Sequence, residues 1–194
     1  MDTLNRHRRE LLIGGVASAA VFAIPAQAQQ VAPTPECRDG DEPTLRETEG
    51  PFFKPHSPER MDLREQGLKG TPIEISGRVL NRACKPVSRA AVDLWHADSD
   101  GNYDNKGFRC RGHVFTDSEG RYKFVTIVPA VYPGRTRHFH VKVQGGGPLL
   151  TTQLYFPDEP QNRRDSLFHN ELLMRVAQIG DGKTAQFDFI LNQR

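Results

Sequence analysis

Short runs of β-branched and aromatic residues alternate with polar ones along most of the chain from about residue 73. Ile73–Leu80, Ala91–His96, His113–Phe115, Tyr122–Ile127, Phe139–Val143 and Leu150–Phe156 each read as a strand. Between them lie turn signals: Asp98-Ser99-Asp100-Gly101, Asp117-Ser118-Glu119-Gly120 and Gly145-Gly146-Gly147-Pro148. Near the end, Phe187, Phe189 and Leu191 alternate within Gln186–Leu191 as a last strand, whereas Leu167, Leu172, Leu173 and Val176 suggest helix over residues 161–178. The fold class expected is all-β: a sandwich of short, mostly antiparallel strands with a short C-terminal helical segment. No internal repeat is visible.

The first 28 residues have a different pattern. A basic start (Arg6, His7, Arg8, Arg9) leads into an apolar stretch from Leu11 to Ile24, then the small-residue site Ala26-Gln27-Ala28. That is the layout of an export signal, too short to span a bilayer as a helix. Arg8-Arg9 followed by Glu10-Leu11-Leu12 has the form of a twin-arginine signal, which would deliver a folded protein to the periplasm or outside. Residues 29–53 are rich in Pro, Glu and Asp and read as an extended arm. It ends in Thr48-Glu49-Gly50-Pro51-Phe52-Phe53, and residues 54–194 form the sandwich domain.

Charge narrows the choice of partners. The formal net charge is +2, and the leader's three arginines and two acids leave the remainder near neutral, so neither nucleic acid nor, after signal cleavage, a membrane is expected as a partner. Cys37, Cys84 and Cys110 fit no zinc spacing. In an oxidising compartment one disulfide is expected, and Cys37 with Cys84 would tie the arm to the turn after the first strand. Cys110, between two arginines, is either a small buried residue or a reactive thiol.

The densest chemistry lies in Tyr132-Pro133-Gly134-Arg135-Thr136-Arg137-His138-Phe139-His140. Two histidines two apart on a strand project from one face, which suits a transition metal. Each residue also has a plain reading. Tyr103 and Tyr132 could be packing or turn aromatics, Arg135 a solvated charge, Trp95 core and His96 structural. His56, His113 and His169 have no ligand-like neighbours in sequence.

Leu94-Trp95-His96-Ala97 with Gly101-Asn102-Tyr103-Asp104, then Tyr132-Pro133-Gly134-Arg135, His138-Phe139-His140 and Thr152–Pro157, resemble the intradiol aromatic-ring-cleavage dioxygenases over roughly residues 48–158. The resemblance implies one non-haem Fe(III) held by Tyr103, Tyr132, His138 and His140. Tyr132 would be the phenolate that swings away and takes a substrate proton. Arg135 would stabilise charge on the bound ring, and Gln153 would be a polar residue beside the substrate. The substrates implied are a catechol-type aromatic and O2. Only five residues separate Tyr132 from His138, fewer than in better-known members, which suggests an open site. The helical dimerisation region of some members is absent, and the oligomeric state is left open. Two other readings compete: a transthyretin-like binding module, suggested by Gly77-Arg78-Val79 and Gly120-Arg121-Tyr122-Lys123-Phe124, and an Fe(II) site using Asp98 or Asp104.

Overall fold

A computed structural model describes residues 37, 38 and 40–193; the expected signal segment lies outside the described residues. Among the described residues nine strands follow one another: β1 (Pro72–Asn81), β2 (Ala91–Trp95), β3 (Arg111–Phe115), β4 (Arg121–Ile127), β5 (His138–Gln144), β6 (Leu150–Tyr155), β7 (Arg175–Ile179), β8 (Gly182–Gln186) and β9 (Phe189–Leu191). They form two sheets. One has the order β4-β1-β8-β7, with β9 also pairing with β1; the other has the order β3-β2-β5-β6.

Alternation decides which side chains fill the space between the sheets. In the second sheet, Val92, Leu94, Phe139, Val141, Val143, Leu150 and Leu154 point inward. They meet Ile73, Ile75, Tyr122 and Phe124 of the first. The opposite face of the second sheet carries a different row. Arg111, Trp95, His140 and Gln153 are direct cross-strand neighbours, and His138 lies opposite Tyr155. This outer face is where the chemistry-bearing residues collect.

The arm closes over that face as a strap. Glu47 N donates to Thr151 O (2.8 Å), and Gln153 Nε2 donates to Thr48 O (3.0 Å). Phe53 packs on Trp95 with ring centroids 4.9 Å apart and lies under Lys142 Nζ at 3.7 Å; Lys142 also pairs with Glu49. A Cys37–Cys84 disulfide, 47 residues apart in sequence, fixes the start of the arm to the turn after β1.

The C-terminal helix does not form. Residues 160–163 and 170–172 make short 3-10 turns, and Val176 lies in β7. The apolar positions 167, 172, 173 and 176 never complete the i, i+3, i+4, i+7 stripe of a helix. Leu172 is instead fully buried, Met174 N donates to Tyr155 O (2.9 Å), and the chain then runs on as β7, an edge strand paired with β8. Gly180-Asp181, with Gly180 at φ +55°, then makes the two-residue turn between β7 and β8. The last expected strand is split in two. Gly77 lets Phe187 O come so close that a Cβ there would overlap it, and the chain leaves β8 and resumes as β9. Pairing is mostly antiparallel, but β8 and β9 run parallel to β1.

Candidate metal centre

β5 brings the two histidines together. His138 Nε2 and His140 Nε2 lie 3.1 Å apart, and both rings are buried. His138 Nδ1 donates to Thr136 O at 2.6 Å, which leaves its Nε2 with a free lone pair. Trp95, expected as core, is buried on the outer face, where its ring stacks on His140 with centroids 5.0 Å apart and planes 7° apart. Gly50 presses on the same imidazole: a Cβ there would lie 3.2 Å from His140 Cε1. The plane of each imidazole is therefore set from outside the strand.

Two loops add the phenols. Tyr103 sits on the loop between β2 and β3, where Asp98 Oδ1 accepts from Asp100 N and Asn102 N, both at 2.9 Å. Asp104 accepts from Lys106 N, Gly107 N and Arg109 N. These carboxylates are spent on shaping the loop. Among the described residues no three His, Cys, Asp or Glu side chains are grouped as a metal site, so no acid joins the two imidazoles. Phe52 stacks on the Tyr103 ring at 4.5 Å, and buried Arg111 bonds Asp104 O (3.0 Å) and Phe52 O (2.7 Å), locking loop to strap. Tyr132 lies on the Tyr-Pro-Gly turn, its hydroxyl 3.4 Å from His138 Nε2 and its ring edge-on to Tyr103 at 5.8 Å. Ala130 N donates to Asp98 O at 3.0 Å, so the two phenol-bearing loops are tied together.

The donor set fits a hard cation. Tyr103 Oη is buried with no hydrogen-bond partner among the described residues. An unsatisfied buried hydroxyl costs about 1–3 kcal/mol, which a metal bond would remove. Burial, then the neighbouring Tyr132, pushes the Tyr103 phenol up, and burial pulls His138 down to about 4 and His140 well below its usual range. Two imidazoles and two phenols thus gather at one place. A trivalent ion would deprotonate the two phenols.

Arg135 is brought to the same place. Its Nη1 lies 3.5 Å from Tyr132 Oη, its Nη2 donates to Gln153 Oε1, and its Nε donates to Asp165 Oδ2 at 2.9 Å. Gln153 is fully buried with both ends of its amide engaged, by Arg135 and Tyr155 at the oxygen and by Thr48 O at the nitrogen. A cavity of about 410 Å³ opens beside Tyr132 and Arg135, with Gln161 and Arg164 on its far wall.

Residues 48–192 match the profile of the family described as "Dioxygenase". The protocatechuate 3,4-dioxygenase beta chain of Burkholderia cepacia is 33% identical over 168 residues, covering 69% of this chain and 72% of that one. The chain belongs to the intradiol ring-cleaving dioxygenase family. Among solved members, the dioxygenase domain of a dioxygenase carbohydrate-binding protein fusion from the cellulolytic Streptomyces sp. SirexAA-E is 51% identical. It superposes with a TM-score of 0.77, covering 79% of this chain and 100% of that domain. The hydroxyquinol 1,2-dioxygenase of Rhodococcus opacus is 32% identical over 146 residues, 61% of this chain; the chain spans about half (48%) of that relative's length.

Several residues around this cluster have no separate sequence signal. Arg111 and Asp165 are charged positions in ordinary polar surroundings, and only their burial marks them. His96 is structural: its Nδ1 donates to Ala97 O (2.7 Å) and its Nε2 accepts from Thr126 Oγ1 (2.8 Å). Among the other histidines, His113 meets Ser57 and His169 meets Glu47. Cys110 is buried, and burial pushes its thiol up to about 12, which removes the reactive reading.

Proposed function

We propose that Tyr103, Tyr132, His138 and His140 hold one ferric ion, and that the chain uses O2 to open a catechol-type ring between its two hydroxyl-bearing carbons. The carbon–carbon bond between those carbons breaks and each receives one atom of O2, so a diol becomes an open-chain dicarboxylate of the cis,cis-muconate type. The observation that carries this reading is the convergence of His138 Nε2 and His140 Nε2, 3.1 Å apart, beside a buried and unsatisfied Tyr103 Oη. When held by these four side chains, a ferric ion would supply Lewis acidity toward a catechol's two oxygens.

The protein's own residues divide the remaining work. Tyr103, clamped under Phe52, is the fixed phenol. Tyr132, on a turn, is the phenol able to withdraw, and its Oη takes a proton from one substrate hydroxyl. Arg135, facing Tyr132, holds negative charge that develops on the ring. Trp95, Phe52 and the strap shield the imidazoles from water. The cavity beside Arg135 gives room for a substituent on the ring, which favours tolerance of substituted catechols.

We also propose that the chain acts after export, in the periplasm or outside the cell; the Cys37–Cys84 bridge suits an oxidising compartment. The decisive experiment combines metal analysis with product identification on catechol, protocatechuate and hydroxyquinol, following O2 uptake. One iron per chain, a red-brown ferric–phenolate band and colourless dicarboxylates are expected. Zinc in place of iron, or a yellow semialdehyde product, overturns the reading.

A further inference from the structure

The segment after β6 supplies a buried acid whose position is unusual for a loop. The Asp165 side chain is 1% exposed, and its carboxylate accepts three hydrogen bonds. Arg135 Nε (2.9 Å) and Thr136 N (2.8 Å) share Oδ2, and Leu167 N (3.0 Å) takes Oδ1. Burial alone would raise this carboxyl, but the Thr136 and Leu167 amides and Arg135 outweigh it and hold it below the usual range. Nearby, Thr136 Oγ1 donates to Asn162 Oδ1 (2.6 Å) and Thr136 O accepts from His138 Nδ1 (2.6 Å). Residues 162–167 therefore grip the short Tyr132–His138 connection from behind.

A cap for Leu167 needs only a neutral acceptor such as Ser or Asn. A buried carboxylate carries a desolvation penalty of several kcal/mol and calls for a cation, and the cation here is Arg135. Guanidinium is planar, so fixing Nε–H on one carboxylate oxygen also fixes the direction of both Nη groups. In this fold they face Tyr132 on one side and Gln153 with Tyr155 on the other.

We propose that Asp165 is a positioning residue of the reaction: its carboxylate aims the Arg135 guanidinium at the Tyr132 side of the donor set. The inference rests on the ring-cleavage reading above. The test compares Arg135→Ala, Asp165→Asn, Asp165→Ser and the Arg135→Ala/Asp165→Asn double variant. Each is measured for iron content, visible absorption, thermal midpoint, kcat and KM on the best catechol found. Asp165→Ser retains an acceptor for Leu167 N but cannot reach Arg135, so it separates the turn from the clamp.

Both Asp165 variants are expected to keep iron and the visible band. Losing a charge-assisted hydrogen bond lowers kcat roughly 10- to 100-fold, with KM moving less than about threefold. On the Arg135→Ala background, Asp165→Asn should add less than about a twofold further loss, because a residue acting through Arg135 has nothing left to aim. Equal losses on both backgrounds, or Asp165 variants that precipitate or shed iron, make Asp165 a structural residue and overturn the proposal. If Arg135→Ala keeps parental kcat, both the charge-holding role of Arg135 and the proposal fall. The parent's iron content and product, measured separately, show whether the ring-cleavage reading stands.

Discussion

The two phenols differ in how firmly they are held, and that difference predicts different mutants. Tyr103 is pinned between Phe52 and the backbone-capped loop of Asp98 and Asp104, with its hydroxyl buried. Tyr132 rides on a turn, with His138 and Arg135 near its hydroxyl. Tyr103→Phe is therefore expected to lose most of its iron on purification. Tyr132→Phe should retain more iron but turn over at least ~100-fold more slowly, as expected for loss of a proton acceptor. Metal content beside kcat checks both; equal iron loss in the two variants contradicts the division of labour. The residues proposed to bear this chemistry are legible because each sits in a short motif: Tyr103 beside Gly-Asn, Tyr132 before Pro-Gly-Arg, and the histidines two apart on a strand. Arg111 and Asp165 were not legible. A buried charge is defined by partners far along the chain (Phe52 for the first, Arg135 for the second), and local sequence carries no trace of them.

At the scale of elements, the strap carries no regular structure over residues 41–50, yet it lies against the histidines. Gly50 has φ +70° and lies against His140, so a side chain there meets both backbone strain and a fixed imidazole. Gly50→Ala is expected to lower stability by about 1 kcal/mol and to push His140 off its plane. The measurement is the rate of iron loss to a chelator, which should rise while the far-ultraviolet spectrum stays unchanged. Strands β1 to β6 were readable because β-branched and aromatic runs stand between clear turn signals such as Asp98-Ser99-Asp100-Gly101 and Asp117-Ser118-Glu119-Gly120. Strands β7 and β8 were not. β7 exposes much of its length at the sheet edge, with Ile179 half exposed, and β8 buries only Ala185 fully, so neither shows clean alternation. Their turn, Gly180-Asp181, was the available clue, and the scattered leucines before it imitated a helix.

At the scale of the molecule, two features outside the centre govern stability. The Cys37–Cys84 bridge closes a loop of 47 residues that includes the strap. Loop-closure entropy sets its contribution at about 4 kcal/mol or less. Cys84→Ser is expected to lower the thermal midpoint by several degrees, read by calorimetry with and without reductant; an unchanged midpoint rules out that contribution. His96, buried between the sheets, has its pKa pulled to about 4, chiefly by burial. An unfolded histidine titrates near ~6.5, so the unfolded chain binds the extra proton between these values. The stability His96 contributes is present above pH 6.5 and is lost as pH falls toward 4, at up to about 1.4 kcal/mol per pH unit. His96→Asn should flatten the urea-unfolding free energy across that window; a slope identical to the parent's refutes this.

The histidines stand on the outward face of β5, while the same strand's Phe139, Val141 and Val143 hold the two sheets together. Folding and chemistry are therefore written on opposite sides of one strand, in alternate letters. The covering pieces over the outward side (strap, Tyr103 loop, Tyr132 turn and the 160–168 segment) contribute no residue to the buried core cluster between the sheets, so exchanging them should leave that interior closed. Chimeras that swap these covers onto a constant pair of sheets are a direct way to transplant substrate preference, and they should fold as readily as the parent.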